Sequence, residues 1–194
     1  IVARRKTDGT VETILERVLQ RGMWPDAARR WCTSDHKRDP IRALMTRLVR
    51  QLRESGTVVG RPVRILNVLG MRAEESAARR KKDPYRYDRS ASNGRRHVDE
   101  WRPLHTWTTA QVWARIRRAG TRHHWAYDVG MSRLSCRFCV LGSREDLACS
   151  ALFNPDYAEE HARVEEETGH QFRKNLPMAE IVQAAHQPPR TTLW

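Results

Sequence analysis

Four cysteines stand at Cys32, Cys136, Cys139 and Cys149 in a chain of 194 residues. Cys136-x-x-Cys139 puts two thiolates within reach of one metal centre, and neighbouring Arg133 and Arg137 would stabilise thiolates or a negatively charged cluster. Cys32 and Cys149 are the further sulfur ligands available. The alternative is that these are reduced packing cysteines. Cys149 in particular sits among Leu147, Ala148 and Leu152, where a small apolar side chain serves equally well.

A second group follows the apolar run Val63–Leu69: Gly70-Met71-Arg72-Ala73-Glu74-Glu75-Ser76, with Arg79 beyond it. The carboxyl ends of strands are where open parallel α/β sheets bind ligands. Arginine forks match phosphate or sulfate bidentately, so Arg72, Arg79 and Arg133 are candidate anion clamps, with Glu74, Gly70 and Ser76 beside them. The competing possibility is that Glu74 or Glu75 pairs with a nearby arginine at a helix start. Lys37 and Arg38, close to Cys32, are either phosphate contacts or solvated charges. The run Arg79-Arg80-Lys81-Lys82, with Arg95 and Arg96, is basic and turn-rich. The eight histidines show no ligand spacing, though His97 and His123 are placed where nucleic acid could be met. Trp101, Trp107 and Trp113 surround an amphipathic helix and are expected in the core.

The elements that must position these groups alternate in type. Ile1–Arg5 reads as a strand. Thr10 caps a helix carrying Val11, Ile14, Leu15, Val18 and Leu19, stopped by Gly22. Trp24–Arg38 is expected to be irregular. Asp39-Pro40 has the pattern of an N-cap followed by an N1 proline, opening a helix to Gly56. Val63–Leu69 predicts a strand covered on both faces. Arg79–Glu100 lacks apolar periodicity and is expected to be a long loop. Thr108 and Gln111 form a capping box for a helix ending at Gly120. Asn154-Pro155 starts a Glu-rich helix running to Gly169, and Pro177–His186 predicts a final short one before a frayed Pro188-Pro189 tail. The alternation predicts an α/β domain with a parallel sheet over residues 1–145, with a helical extension over 146–194. Two visible strands are too few for such a sheet, so further strands are expected upstream of Ile1.

Lys and Arg number 36 against 23 Asp and Glu, a net charge of +13, which favours polyanionic partners such as nucleic acid or phosphorylated small molecules. At 39% apolar residues the chain can build a core and is not of the disordered class. No run is long enough to span a bilayer. With no export signal and no disulfide-like spacing, a reducing cytoplasm is expected.

Four patterns in order resemble the phosphoadenosine-phosphosulfate (PAPS) reductase family. They are Arg30-Trp31-Cys32 with Lys37 and Pro40, Gly70-Met71-Arg72-Ala73-Glu74-Glu75-Ser76 with Arg79, Pro103-Leu104 with Trp107 and Val112-Trp113, and Tyr127-x-x-Gly130-x-x-Arg133-x-x-Cys136-x-x-Cys139. The resemblance implies the carboxy-terminal part of an adenine nucleotide alpha-hydrolase-like, Rossmann-like fold. It implies Arg72, Glu74 and Arg133 as catalytic, and Lys37, Arg38, Gly70, Ser76 and Arg79 as nucleotide-binding. It also implies an iron–sulfur cluster, of the 4Fe–4S type, on Cys32, Cys136 and Cys139, with Cys149 as a fourth ligand or an iron left open. Zinc is the alternative metal.

Members of the family reduce sulfonucleotides, or cleave ATP with Mg²⁺ to activate an acceptor for sulfur. The amino-terminal S-G-G-x-D-S phosphate loop and the E-C-G-L-H of the reductases do not occur in this sequence. What the resemblance then implies is a sulfur-inserting ATP pyrophosphatase of the DNA phosphorothioation type. Its partners would be an adenine nucleotide, DNA (held by Arg80, Lys81, Lys82, Arg95 and Arg96) and a sulfur-donor protein, without a membrane. The alternatives are a PAPS or adenylyl-sulfate reductase, a tRNA-thiolating enzyme, and a non-catalytic nucleotide- or nucleic-acid-binding remnant.

Overall fold

The computed structural model describes residues 9–185, which fall into two compact units. One joins the segment up to Pro40 with the chain from His124 onward; the other is Ile41–His123. The division does not follow a boundary at residue 145, because the carboxy-terminal helices pack with the amino-terminal one. The strand expected at Ile1–Arg5 and the tail at Pro188-Pro189 lie outside the described residues.

The first unit is helical. α1 spans Ile14–Arg21 and is capped by Thr13, not Thr10: Thr13 Oγ1 accepts from Glu16 N–H, and the Glu16 carboxylate accepts in return from Thr13 N–H. This reciprocal box satisfies two donors that a helix start would otherwise orphan. Gly22 closes the helix at φ 62°, in the left-handed region that favours glycine. The segment Trp24–Arg38 is not irregular throughout. It forms a helical turn, α2 (Trp31–Thr33), continued by a π-helical turn over Ser34–Arg38. Asp39 is therefore already helical, with φ −67° and ψ −41°, and Asp39-Pro40 does not open a helix from a loop.

After the second unit come α6 (Arg144–Phe153), α7 (Pro155–Thr168) and α8 (Met178–Ala185). α1 packs on α7, and α6, α7 and α8 pack on one another. Their shared core holds Leu15, Val18, Trp24, Phe138, Leu147, Phe172, Met178 and Ile181. Each fully buried side chain of this size contributes roughly 1.5–3 kcal/mol from removal of apolar surface. The Glu165 carboxylate accepts from Phe172 N–H and Met178 N–H, fastening the turn between α7 and α8.

The second unit is built on α3 (Asp39–Glu54, from Ile41 onward) and a three-stranded sheet ordered β1 (Val63–Val68), β3 (Arg96–Trp101), β2 (Tyr85–Tyr87). β1 and β3 run parallel with Val63 opposite Arg96; β2 is antiparallel to β3 with Tyr85 opposite Trp101. One face packs Val98 and Ile65 against Met45, Ile41 and Ala91. The other carries Leu66 and Val68 about half exposed, so β1 is not covered on both faces. Trp101, expected in the core, is 43% exposed on that open face. The stretch Arg79–Glu100, expected as a loop, contains the end of α4 (Ala77–Arg80), β2 and most of β3. α5 (Thr109–Ala119) has the capping box expected of Thr108 and Gln111 and ends at Gly120. The result is a mixed α/β architecture consistent with a Rossmann-like nucleotide alpha-hydrolase domain.

Candidate functional site

The cysteine group belongs to the first unit. Cys32 lies on α2, half-buried between Trp31 and Thr33. Burial pushes its thiol up, against the Thr33 hydroxyl and the Lys37 charge, while the neighbouring Cys136 and Cys139 thiols push it up further. Cys136 is exposed and Cys139 half-buried, and Arg133 Nη2 stands 3.9 Å from Cys139 Sγ.

Local chemistry fixes this segment. Asp146, at the start of α6, accepts from both Ser132 N–H and Ser132 Oγ at 2.7 Å, and the Tyr127 hydroxyl accepts from Leu134 N–H at 3.2 Å. Behind the cysteine turn, Gly142 N–H donates to the Cys139 carbonyl at 2.7 Å. A Cβ at Gly142 would meet that oxygen at 3.1 Å and the Leu147 side chain at 3.3 Å, a tight contact that glycine relieves where the turn lies on α6. Arg137 rests over the Tyr157 ring at 5.5 Å.

Cys149 lies half-buried on α6. Its thiol donates to the Val129 carbonyl at 3.6 Å, and burial, then Asp146, pushes it up. Among the described residues, no three His, Cys, Asp or Glu side chains converge in a metal-binding geometry. Cys32, Cys136 and Cys139 are thiol donors with basic neighbours, Lys37 acting on Cys32 and Arg133 on Cys139.

The strand-end group belongs to the second unit. Leu69 N–H donates to the Trp101 carbonyl and Ala73 N–H to the His105 carbonyl, so the turn after β1 is bound to the segment after β3. Arg72 Nη1 donates to Glu74 at 3.0 Å, to Thr109 Oγ1 at 3.1 Å and to the Trp107 carbonyl at 3.4 Å. Arg79 forms a close ion pair with Glu75. Ser76 Oγ accepts from Arg79 N–H at 3.2 Å and caps α4. The carboxylate–arginine pairing weighed from sequence is therefore present. Its arginines keep unused N–H groups, and Arg79 is nearly half exposed.

Arg80, Lys81, Lys82 and Arg95 are exposed, as a nucleic-acid surface requires. Arg96 is not: its side chain is buried, donating to the Ala91 carbonyl at 2.6 Å and to Thr46 Oγ1 at 2.8 Å. It ties β3 to α3 and is removed from that surface. Lys37 and Arg38 lie on the π-helical turn, with Arg38 3.5 Å from Asp39.

Sequence reasoning missed Arg102. It is buried, paired closely with Glu100, and donates to the Asp83 carbonyl at 2.6 Å; Glu100 also accepts from Arg86 at 2.7 Å. The available signal was a set of opposite charges at alternating and adjacent positions around β3, which a buried strand tolerates only as a paired network.

The Phosphoadenosine phosphosulfate reductase domain, as a family, matches residues 23–141, more than half of the chain. The chain is also similar to the "Uncharacterized 37.8 kDa protein in gpa 5'region" of Escherichia phage 186, at 29% identity over 157 residues, or 81% of this chain. It spans 42% of that protein's length. No solved structure matches.

Proposed function

Because the chain belongs to the phosphoadenosine phosphosulfate reductase domain family, we propose that the full-length protein is a sulfur-transfer enzyme of the ATP pyrophosphatase type, bearing an iron–sulfur cluster and acting on DNA. The observation that carries this is the Cys136-x-x-Cys139 turn, with Arg133 Nη2 3.9 Å from Cys139 Sγ.

Cys32, Cys136 and Cys139 would hold the cluster, with Lys37 and Arg133 balancing its negative charge. When bound, it would supply iron able to hold sulfur at the sulfide level. Arg72 and Arg79 grip the phosphates of Mg²⁺-bound ATP, with Glu74 and Glu75 fixing their forks until substrate arrives. A non-bridging oxygen of a DNA phosphate attacks the α-phosphorus of ATP. The bond to the β-phosphate oxygen breaks, and pyrophosphate leaves with Mg²⁺. Sulfide-level sulfur from a donor protein then attacks the activated backbone phosphorus, and AMP departs with the displaced oxygen. Sulfur begins and ends at the same oxidation level, so no external reductant is consumed.

The test is metal content. Protein purified without oxygen should be brown and hold about four irons and matching sulfide per chain, the composition of a cubane cluster. Colourless protein with one zinc per chain contradicts the cluster.

A further inference from the structure

The sheet of the second unit packs one face on α3; the other gathers aromatic and charged side chains. Register puts Arg64, Leu66 and Val68 of β1 beside His97, Asp99 and Trp101 of β3. On β2, Tyr87 lies opposite Asp99 and Tyr85 opposite Trp101. Tyr85, Tyr87 and Trp101 are each about half exposed, and the Tyr87 and His97 rings stack at 4.6 Å. Asp99 links the group: it accepts from the Tyr85 hydroxyl and from His97 Nε2 at 3.2 Å, and Arg64 lies 3.8 Å away. One carboxylate thus orders a phenol, an imidazole and a guanidinium, which lowers the entropy lost when a ligand arrives.

Strands covered on both faces read as runs of Val, Ile and Leu. Across β2 and β3 this face instead carries rings with polar tips, a carboxylate and a neighbouring arginine. Such rings accept the flat face of another ring, and every nucleobase has one. Tyr85 and Tyr87 are two residues apart on an extended strand, roughly 7 Å, about twice the step between stacked bases of a duplex. Two bases can therefore meet both positions only when unstacked and splayed, as in a single strand. Charge points the same way. Between Ile41 and His123 stand 20 Lys and Arg against 7 Asp and Glu, a surplus of 13 that equals the whole chain's +13. The sheet unit carries all of the net attraction for a polyanion, and the rest of the chain is neutral overall.

We propose that this open sheet face binds the unpaired bases of single-stranded DNA, one at Tyr85 and Trp101 and the next at Tyr87 and His97, with Arg64 beside them for a phosphate. The inference deepens the DNA reading above by naming the form of DNA that is held. It requires neither the cluster nor ATP, so a protein that releases no pyrophosphate leaves it standing.

Fluorescence anisotropy of the full chain, without ATP, tests it with labelled oligothymidylate, an abasic oligomer of the same length, and a duplex. Oligothymidylate should bind at least tenfold more tightly than the abasic oligomer, the scale of losing stacked bases. Tyr87→Leu/Trp101→Leu should remove that advantage while leaving the salt dependence unchanged, because no phosphate contact is lost. Tyr87→Phe/Trp101→Phe, which keeps flat rings, should restore most of the affinity. Equal binding of the abasic oligomer, no binding of oligothymidylate, or a Leu pair that binds like the unaltered chain overturns the site. So does an equal loss of duplex binding in the Leu pair, or an equal loss in Trp125→Leu, at an exposed ring of the first unit. Circular dichroism identifies folded variants. Should the Leu pair fail to fold, photocrosslinking of an iodouracil-substituted oligomer to the unaltered chain decides: adducts at Tyr85, Tyr87 or Trp101 support the site, and adducts only elsewhere overturn it.

Discussion

One carboxylate oxygen of Glu74 accepts both from the Arg72 guanidinium at 3.0 Å and from the Thr109 backbone N–H at 2.7 Å. It thereby joins the turn after β1 to the first residue of α5. If Arg72 touches the transferring phosphate, Arg72→Ala should slow pyrophosphate release by about a hundredfold or more, the scale of losing one transition-state donor. Thr109→Val removes a single hydrogen bond and should cost about 1 kcal/mol of stability with little effect on rate. Steady-state kinetics and denaturant unfolding measure the two. Full activity in Arg72→Ala would remove it from the chemistry.

The cysteines should separate by reactivity and by metal retention. Cys136 is exposed, whereas burial pushes the Cys32 and Cys149 thiols up. Alkylation of metal-free protein should therefore label Cys136 first, since the thiolate is the reactive form. Cys136→Ser should abolish colour and iron, while Cys149→Ser should retain both. Mass spectrometry and iron analysis read these outcomes; loss of iron in Cys149→Ser would make it a ligand.

His161 predicts an acid limit to stability. It is enclosed by Trp24, Phe138, Tyr157 and Phe172, and its Nδ1–H donates to the Tyr157 carbonyl at 2.7 Å. Burial pushes its pKa down from 6.5 to about 4. The native state resists the proton that the unfolded chain accepts. This contribution is thus complete above pH 6.5 and is lost as pH falls from there towards 4, by about 3 kcal/mol in the limit. Urea unfolding across that range should show the decline, and His161→Phe should flatten it. An identical slope in the variant would place the acid sensitivity elsewhere.

The exposed run Arg79–Lys82 gives a salt test. Replacing Arg79, Arg80, Lys81 and Lys82 with Ala should weaken duplex DNA binding. The slope of log K against log salt should fall by about 0.9 for each phosphate that the variant no longer neutralises. An unchanged slope would mean that these charges are merely solvated.

Where an element's sequence signal agrees with its environment, the structure was legible in advance. The Thr108–Gln111 capping box and Gly120 bound α5, and Asn154-Pro155 and Gly169 bound α7, because caps are local chemistry. β3 was hidden because Arg96, Asp99 and Glu100 look solvent-facing; partners far along the chain, Thr46 for Arg96 and Arg86 for Glu100, are what allow them to be buried. The π-helical turn has no periodic signature, so Asp39-Pro40 read as a start when it lies within a continuous helix. Among site residues, Cys136-x-x-Cys139 and the Gly70–Ser76 turn were visible from spacing alone. That Arg72 is bound by Glu74 and Thr109, and that Cys149 faces Val129, depended on tertiary placement.

The sulfur-transfer function rests on cleavage of ATP between its α- and β-phosphates, and one assay addresses that directly. The full-length protein, purified without oxygen, is incubated with Mg²⁺ and ATP or with PAPS and reduced thioredoxin, and pyrophosphate and sulfite are quantified. Pyrophosphate release from ATP, with no sulfite from PAPS, is the predicted result. Thioredoxin-dependent sulfite release without ATP turnover would contradict the account and identify a reductase.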